Sequence, residues 1–214
     1  MSKKLWGGRF SKDVDQAVVK WCESVTVDSE MVLEDLWGSM AHVTMLGAKG
    51  VLPAGDAAKI VETLGQFQDS FQRNEWKLEV EHEDVHMNVE AKLIDAIGMD
   101  VGGRMHTCRS RNDQVVLDAK LYTRRRLNEI REGLIETVDI LLKRSSNHLD
   151  DVMVSYTHVQ HAQPISVAYW LSHYAAVFLR DCDRLERAYD LTDHSPLGVG
   201  AISGTAFPID RTIT

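Results

Sequence analysis

From Asp113 to about His148 no proline interrupts the chain, and Leu117, Leu121, Leu127, Ile130, Leu134, Val138 and Leu141 recur at threes, fours and one six-residue step. That spacing marks one face of an α-helix. At 1.5 Å per residue the segment spans roughly 50 Å. Gly133 is its one weak point, costing about 1 kcal/mol relative to Ala. Few single-domain globular helices are that long, so a long-helix bundle is implied. A second long helix is expected from near Pro164 through Leu171, Ala175, Phe178, Leu179, Cys182 and Leu185. Both helices need cover for their remaining apolar faces. Strong oligomerisation and further chain beyond this sequence are both expected on that ground.

Shorter helices precede the long one. Met31, Leu36, Met40, Val43 and Leu46 lie near one face between Asp28 and Ala48, and Lys49-Gly50 reads as the stop. Pro53 can open a helix containing Ile60, Leu64 and Phe67. Another is expected from about Asp84 to Ile97, ending at Gly98. No convincing run of alternating strands, internal repeat or low-complexity segment is present. The fold class is therefore all-α: an N-terminal helical domain over 1–112, then the first long helices of a central bundle over 113–214.

Composition narrows the function. Hydrophobic residues are 44% and charged residues 26%, the balance of a soluble globular protein. A net charge of −8 gives no nucleic-acid footprint. No window reaches the roughly 18 apolar residues of a membrane helix. "MSKKLWGGRF" has no apolar run after its lysines, so it does not read as a secretion signal. Cys22, Cys108 and Cys182 are far apart and odd in number, which suggests reduced thiols and a cytoplasmic setting.

Four stretches could carry chemistry. "EHEDVH" contains H-E-x-x-H at His82–His86, a pattern that binds zinc when both histidines share a helix. His82, however, follows charged "EVE" at or before the helix start. "HTCRSRNDQ", His106 to Gln114, places Asn112 or Asp113 as an N-cap, with Arg109 and Arg111 at a helix terminus where anions bind well. Its plainer reading is a capped helix with solvated arginines. "YTHVQHAQP", Tyr156 to Pro164, reads as a loop before a helix, with histidines able to move protons near neutral pH. "SPLGVGAISGTAF" lacks the lysine and the strand–helix setting of a phosphate loop, so its glycines more simply allow a tight backbone path.

Together with "LWGGRF" at Leu5–Phe10, the blocks "EDVH", "HTCRSRNDQ", "YTHVQHAQP" and "SPLGVGAISGT" resemble the argininosuccinate lyase family of the fumarase/aspartase superfamily, which includes the delta-crystallins. The resemblance covers nearly the whole sequence. Cys108 stands where the family usually has glycine. It implies a cytoplasmic homotetramer with active sites shared between subunits, and no metal or other cofactor. It implies reversible elimination of argininosuccinate to fumarate and arginine by general acid–base catalysis, a step of arginine biosynthesis, with no nucleic-acid or membrane partner. His158 matches the catalytic histidine. Ser24, Asp28, Arg111, Asn112 and Thr157 match substrate-holding positions, and Asp84, His86 and Gln160 stand as supporting residues. The family's mobile "GSSxMPxKxN" serine loop and later substrate residues are not in this sequence. It therefore reads as the N-terminal portion of such an enzyme, with little or no activity expected alone. Two competing readings are a non-catalytic, crystallin-like relative and a zinc peptidase.

Overall fold

The computed structural model describes residues 15–214. "LWGGRF" lies outside the described residues. The helices are α1 (Gln16–Cys22), α2 (Val25–Asp28), α3 (Val32–Ala48), α4 (Ala54–Gln72), α5 (Val85–Ile97), α6 (Met99–Gly102), α7 (Arg111–Ser146) and α8 (Val167–Thr192). One antiparallel hairpin, β1 (Val152–Thr157) and β2 (Gln160–Ser166), lies between α7 and α8. The 36 residues of α7 correspond to roughly 54 Å.

Two compact units form, one within Met1–Tyr122 and Ser195–Thr214, the other Thr123–His194. The division expected from sequence falls at 112/113, in the first turn of α7, whereas the contacts divide the chain further along that helix, between Tyr122 and Thr123. In the first unit Val32, Leu36, Val43 and Leu46 of α3 meet Ile60 and Leu64 of α4 and Val89 and Leu93 of α5 in one dry cluster. Burying each such side chain stabilises by roughly 1.5–3 kcal/mol. Gly38 lets α3 approach α7, since a Cβ there would stand 2.7 Å from Leu117 Cδ2.

In the second unit α8 runs back along α7. Ser145 Oγ donates to Ala168 O at 2.9 Å near one end. At the other end Arg124 pairs with Asp193 at 2.5 Å and lies 3.9 Å over the Tyr189 ring. Val138, Ala175 and Cys182 are buried, while Ile130, Ile135 and Ile140 of α7 and Trp170, Tyr174 and Leu179 of α8 stay exposed. The long helices do carry uncovered apolar surface.

Several local expectations need correction. The Asp28–Ala48 helix is broken, because a 3₁₀ turn over Ser29–Met31 separates α2 from α3. "YTHVQHAQP" is not a loop; it forms the turn and facing edges of the hairpin. The last helix starts at Val167, three residues after Pro164, because Ser166 Oγ caps it by accepting from Tyr169 N at 3.0 Å. Pro164 lies instead in β2 opposite Val154, tolerated in a two-stranded ribbon.

Candidate functional site

The start of α7 is built as a capping box. Asp113 Oδ1 accepts from Ser110 N at 3.0 Å, and Ser110 Oγ accepts from Asn112 N at 3.2 Å. Ser110 therefore caps the helix, not Asn112 or Asp113. The other oxygen of Asp113 accepts from Gly200 N at 2.8 Å and Gly198 N at 3.3 Å. It thereby ties the glycine-rich segment to the helix start. Gly198 and Gly200 have φ of +91° and +60°, a left-handed path that glycine takes without steric cost. Cys108 also takes a left-handed conformation, at φ +65°, where a residue with a side chain carries backbone strain.

Arg111 is held from two sides. Its Nη1 donates to Gln114 Oε1 at 2.9 Å, and its Nε lies 3.4 Å from Asp84 Oδ2. Asp84 also caps α5, accepting from Met87 N at 2.6 Å. The Arg111 side chain remains 34% exposed, so a carboxylate can reach it from solvent. Ser24 joins the same neighbourhood: its N donates to Glu83 O at 2.7 Å, and its Oγ donates to Asp28 Oδ2. Asn112 is exposed on the first turn of α7. Ser24 and Asp28 thus form one bonded pair and Asp84 and Arg111 another, and Ser24 also bonds the carbonyl of Glu83, the chain neighbour of Asp84.

Thr157, His158 and Gln160 belong to the second unit. Thr157 pairs with Gln160, leaving His158 and Val159 as a two-residue turn with φ of +50° and +65°. Positive φ at both positions is the signature of a type I′ hairpin turn, which favours Asn-Gly. A β-branched valine there is a genuine outlier. The turn holds the His158 imidazole exposed at the hairpin tip.

Behind Arg111 lies a buried polar cluster that the sequence reading missed. His86 Nδ1 donates to Asp35 Oδ1 at 2.9 Å and lies 3.4 Å from Asp118 Oδ2. Gln114 Nε2 donates to the same Asp35 oxygen at 2.5 Å. The side chains of Asp35, His86 and Asp118 are 0, 2 and 1% exposed. Arg109 is not the solvated cation of the plainer reading. Its Nη1 donates to Ser39 Oγ at 3.0 Å and its Nη2 lies 3.3 Å from His106, which pairs with Glu90 at 3.2 Å. Burial alone would raise the Asp35 carboxyl; the bond from His86, with Arg109 and Gln114, outweighs it and holds Asp35 well below the usual range. Burial and the neighbouring Asp35 charge push Asp118 the other way, up to about 9. Two adjacent carboxyls thus carry one negative charge at neutral pH. Asp35, His86 and Asp118 have ligand atoms within 4.8 Å of one another and could hold a cation, but a proton on Asp118 neutralises the same charge.

The Asp118 proton makes stability depend on pH. A carboxyl whose folded value is raised binds its proton more tightly when folded, so its contribution is full below the unfolded value of about 3.8 and is lost as pH rises toward 9. Asp35 and Glu90, held low, act only in the acid range. His42, lowered to about 4 by burial, and His106, also lowered by burial, act below pH 7. Between pH 7 and 9 the unfolding free energy is expected to fall by up to about 1.4 kcal/mol per pH unit through Asp118. Asp118→Asn should flatten that slope in urea titrations. An unchanged slope in the variant would remove Asp118 as its source.

His82 and His86 do not form a zinc-binding helix. His82 ends a 3₁₀ turn (Val80–His82) and pairs with Glu79 at 3.3 Å, Glu83 has φ +66°, and His86 points at Asp35 from α5.

A lyase family model matches residues 8–214. Among curated proteins, the argininosuccinate lyase of Heliobacterium mobile is 44% identical over 211 residues, 99% of this chain and 46% of that protein. That of Exiguobacterium sp. (strain ATCC BAA-1283 / AT1b) is 47% identical over 210 residues, 98% of this chain and 45% of that protein. The chain therefore spans less than half the length of the curated relatives it matches. Among solved structures, an EDDS lyase in complex with formate is 29% identical with a TM-score of 0.76, covering 87% of this chain and 36% of that one. The class II fumarase of Schistosoma mansoni, at 17% identity, shares the fold with a TM-score of 0.70 over 86% of this chain and 42% of that one. The architecture is the mostly helical one of the fumarase/aspartase superfamily, and among the described residues no helix is long and apolar enough to cross a membrane.

Proposed function

This chain belongs to the lyase family, and from that membership we propose that the protein carrying it is an argininosuccinate lyase, cleaving argininosuccinate to fumarate and arginine. The observation that carries the reading is the 44–47% identity, over 98–99% of this chain, to proteins of that activity. The reaction is an elimination. A base takes the proton from the carbon next to a carboxylate, the carbon–nitrogen bond breaks, and an acid protonates the departing guanidino nitrogen. The negative charge gathered on the carboxylate in between needs fixed donors and cations.

In this reading Arg111 grips a substrate carboxylate, with Asn112, Ser24 and Thr157 supplying hydrogen bonds. Asp28 meets the guanidinium of the arginine half. His158 is the acid–base group, and Asp84, His86 and Gln160 support these residues. Arg111 suits its role because Asp84 and Gln114 fix its orientation while its guanidinium remains open to solvent. The protein acts as a cytoplasmic homotetramer whose subunits share active sites, and the exposed apolar faces of α7 and α8 fit such an assembly. No cofactor is needed for this chemistry.

The test is direct. The complete gene product carrying this sequence, incubated with argininosuccinate, should release fumarate and arginine in equal amounts. A folded product that binds the substrate without cleaving it would support a crystallin-like, non-catalytic relative instead.

A further inference from the structure

We propose that Asp35 is a positioning residue, a single buried carboxylate that orients Arg111 and His86 together. The inference rests on the lyase reading, since that reading gives Arg111 a substrate carboxylate to hold and His86 a supporting role beside it. Asp35 belongs to none of the sequence blocks that pointed to the site, and it lies on α3, the helix that also carries Val32, Leu36, Val43 and Leu46 of the apolar core.

The chain of contacts is short. Arg111 Nη1 can only donate, so Gln114 must turn its carbonyl oxygen to it, which the 2.9 Å contact shows. The Gln114 amide nitrogen then needs an acceptor, and Asp35 Oδ1 stands 2.5 Å away. The same oxygen takes the proton of His86 Nδ1 at 2.9 Å. That bond fixes the ring's orientation and places the proton it donates on Nδ1. One carboxylate oxygen therefore sets a glutamine flip, an arginine rotamer and a histidine tautomer. The second member of the carboxyl pair, Asp118, sits 3.4 Å from the same His86 nitrogen, beside Asp35. Asp35, Gln114, His86 and Asp118 are all buried, so water cannot substitute for a bond lost among them.

Two variants of the complete gene product separate positioning from general support. Asp35→Asn weakens both branches, and Gln114→Leu cuts only the branch to Arg111. If Asp35 works through Arg111, Gln114→Leu should raise KM for argininosuccinate at least fivefold with kcat, per folded enzyme, within about threefold of the parent. Asp35→Asn should raise KM and lower kcat together. A residue that only supports the fold would lower the folded fraction and leave KM unchanged in both. A second readout needs no turnover: the low-field imidazole Nδ1–H resonance of His86 should shift or vanish in Asp35→Asn, and the Arg111 guanidinium protons should exchange faster in both variants. Unchanged KM, or unchanged His86 and Arg111 resonances in a folded Asp35→Asn protein, overturns the proposal. Absence of fumarate release by the parent protein would instead sink the lyase reading, and the resonances would still decide the positioning role.

Discussion

His158→Asn in the complete gene product is expected to lower kcat for argininosuccinate cleavage by about 10²–10⁴-fold, the range for losing a positioned acid–base group. Asparagine is the informative replacement. The backbone at His158 has φ +50°, and asparagine tolerates that left-handed region better than most residues. The hairpin turn therefore survives while the titratable ring is removed. The side chain is exposed at the tip of β1–β2, so no buried partner is orphaned and the unfolding midpoint should hardly move. Steady-state kinetics beside a circular-dichroism melt checks both halves. A kcat within tenfold of the parent would take His158 out of proton transfer, and a large drop in melting temperature would mean that the turn itself had been damaged.

Asp113→Ala should lower the unfolding free energy by about 3–4 kcal/mol, since hydrogen bonds to a charged acceptor contribute roughly 1.5–3 kcal/mol each and one of the three here is long. The Asp113 carboxylate, 2% exposed, accepts from Ser110 N, Gly198 N and Gly200 N. Its loss removes half of a capping box and frees two backbone donors in the glycine-rich segment, one buried at Gly200 and one part-buried at Gly198. Asp113→Asn, which keeps one acceptor oxygen, should cost roughly half as much. Urea unfolding measures both. Hydrogen exchange should also show the Gly198 and Gly200 amides losing protection before the rest of the first unit. Two variants within about 1 kcal/mol of the parent would mean that the segment is held by other contacts.

Much of the helical framework was legible in the sequence because period and punctuation agreed. Leu117 through Leu141 marked α7, Asp84 and Gly98 bracketed α5, and Lys49-Gly50 closed α3. Motif resemblance brought out Arg111, Ser24 and Asp28; the structure shows Ser24 bonded to Asp28 and to the Glu83 carbonyl, and Arg111 paired with Asp84. The hairpin was not legible. Its turn is His-Val rather than Asn-Gly, and its strands are short and carry Pro164, so no local propensity announced it.

The sequence by itself determined that this chain is helical, that its longest helix needs company, and which family it resembles, because those properties reside in spacing and in residues that stand close together along the chain. Only the tertiary structure decided the state of Asp35, Asp118 and Arg109. The contacts that set it join residues as far apart as Asp35 and Gln114, or Ser39 and Arg109. Burial among them gives two identical side chains opposite protonation, a difference that no one-dimensional pattern encodes.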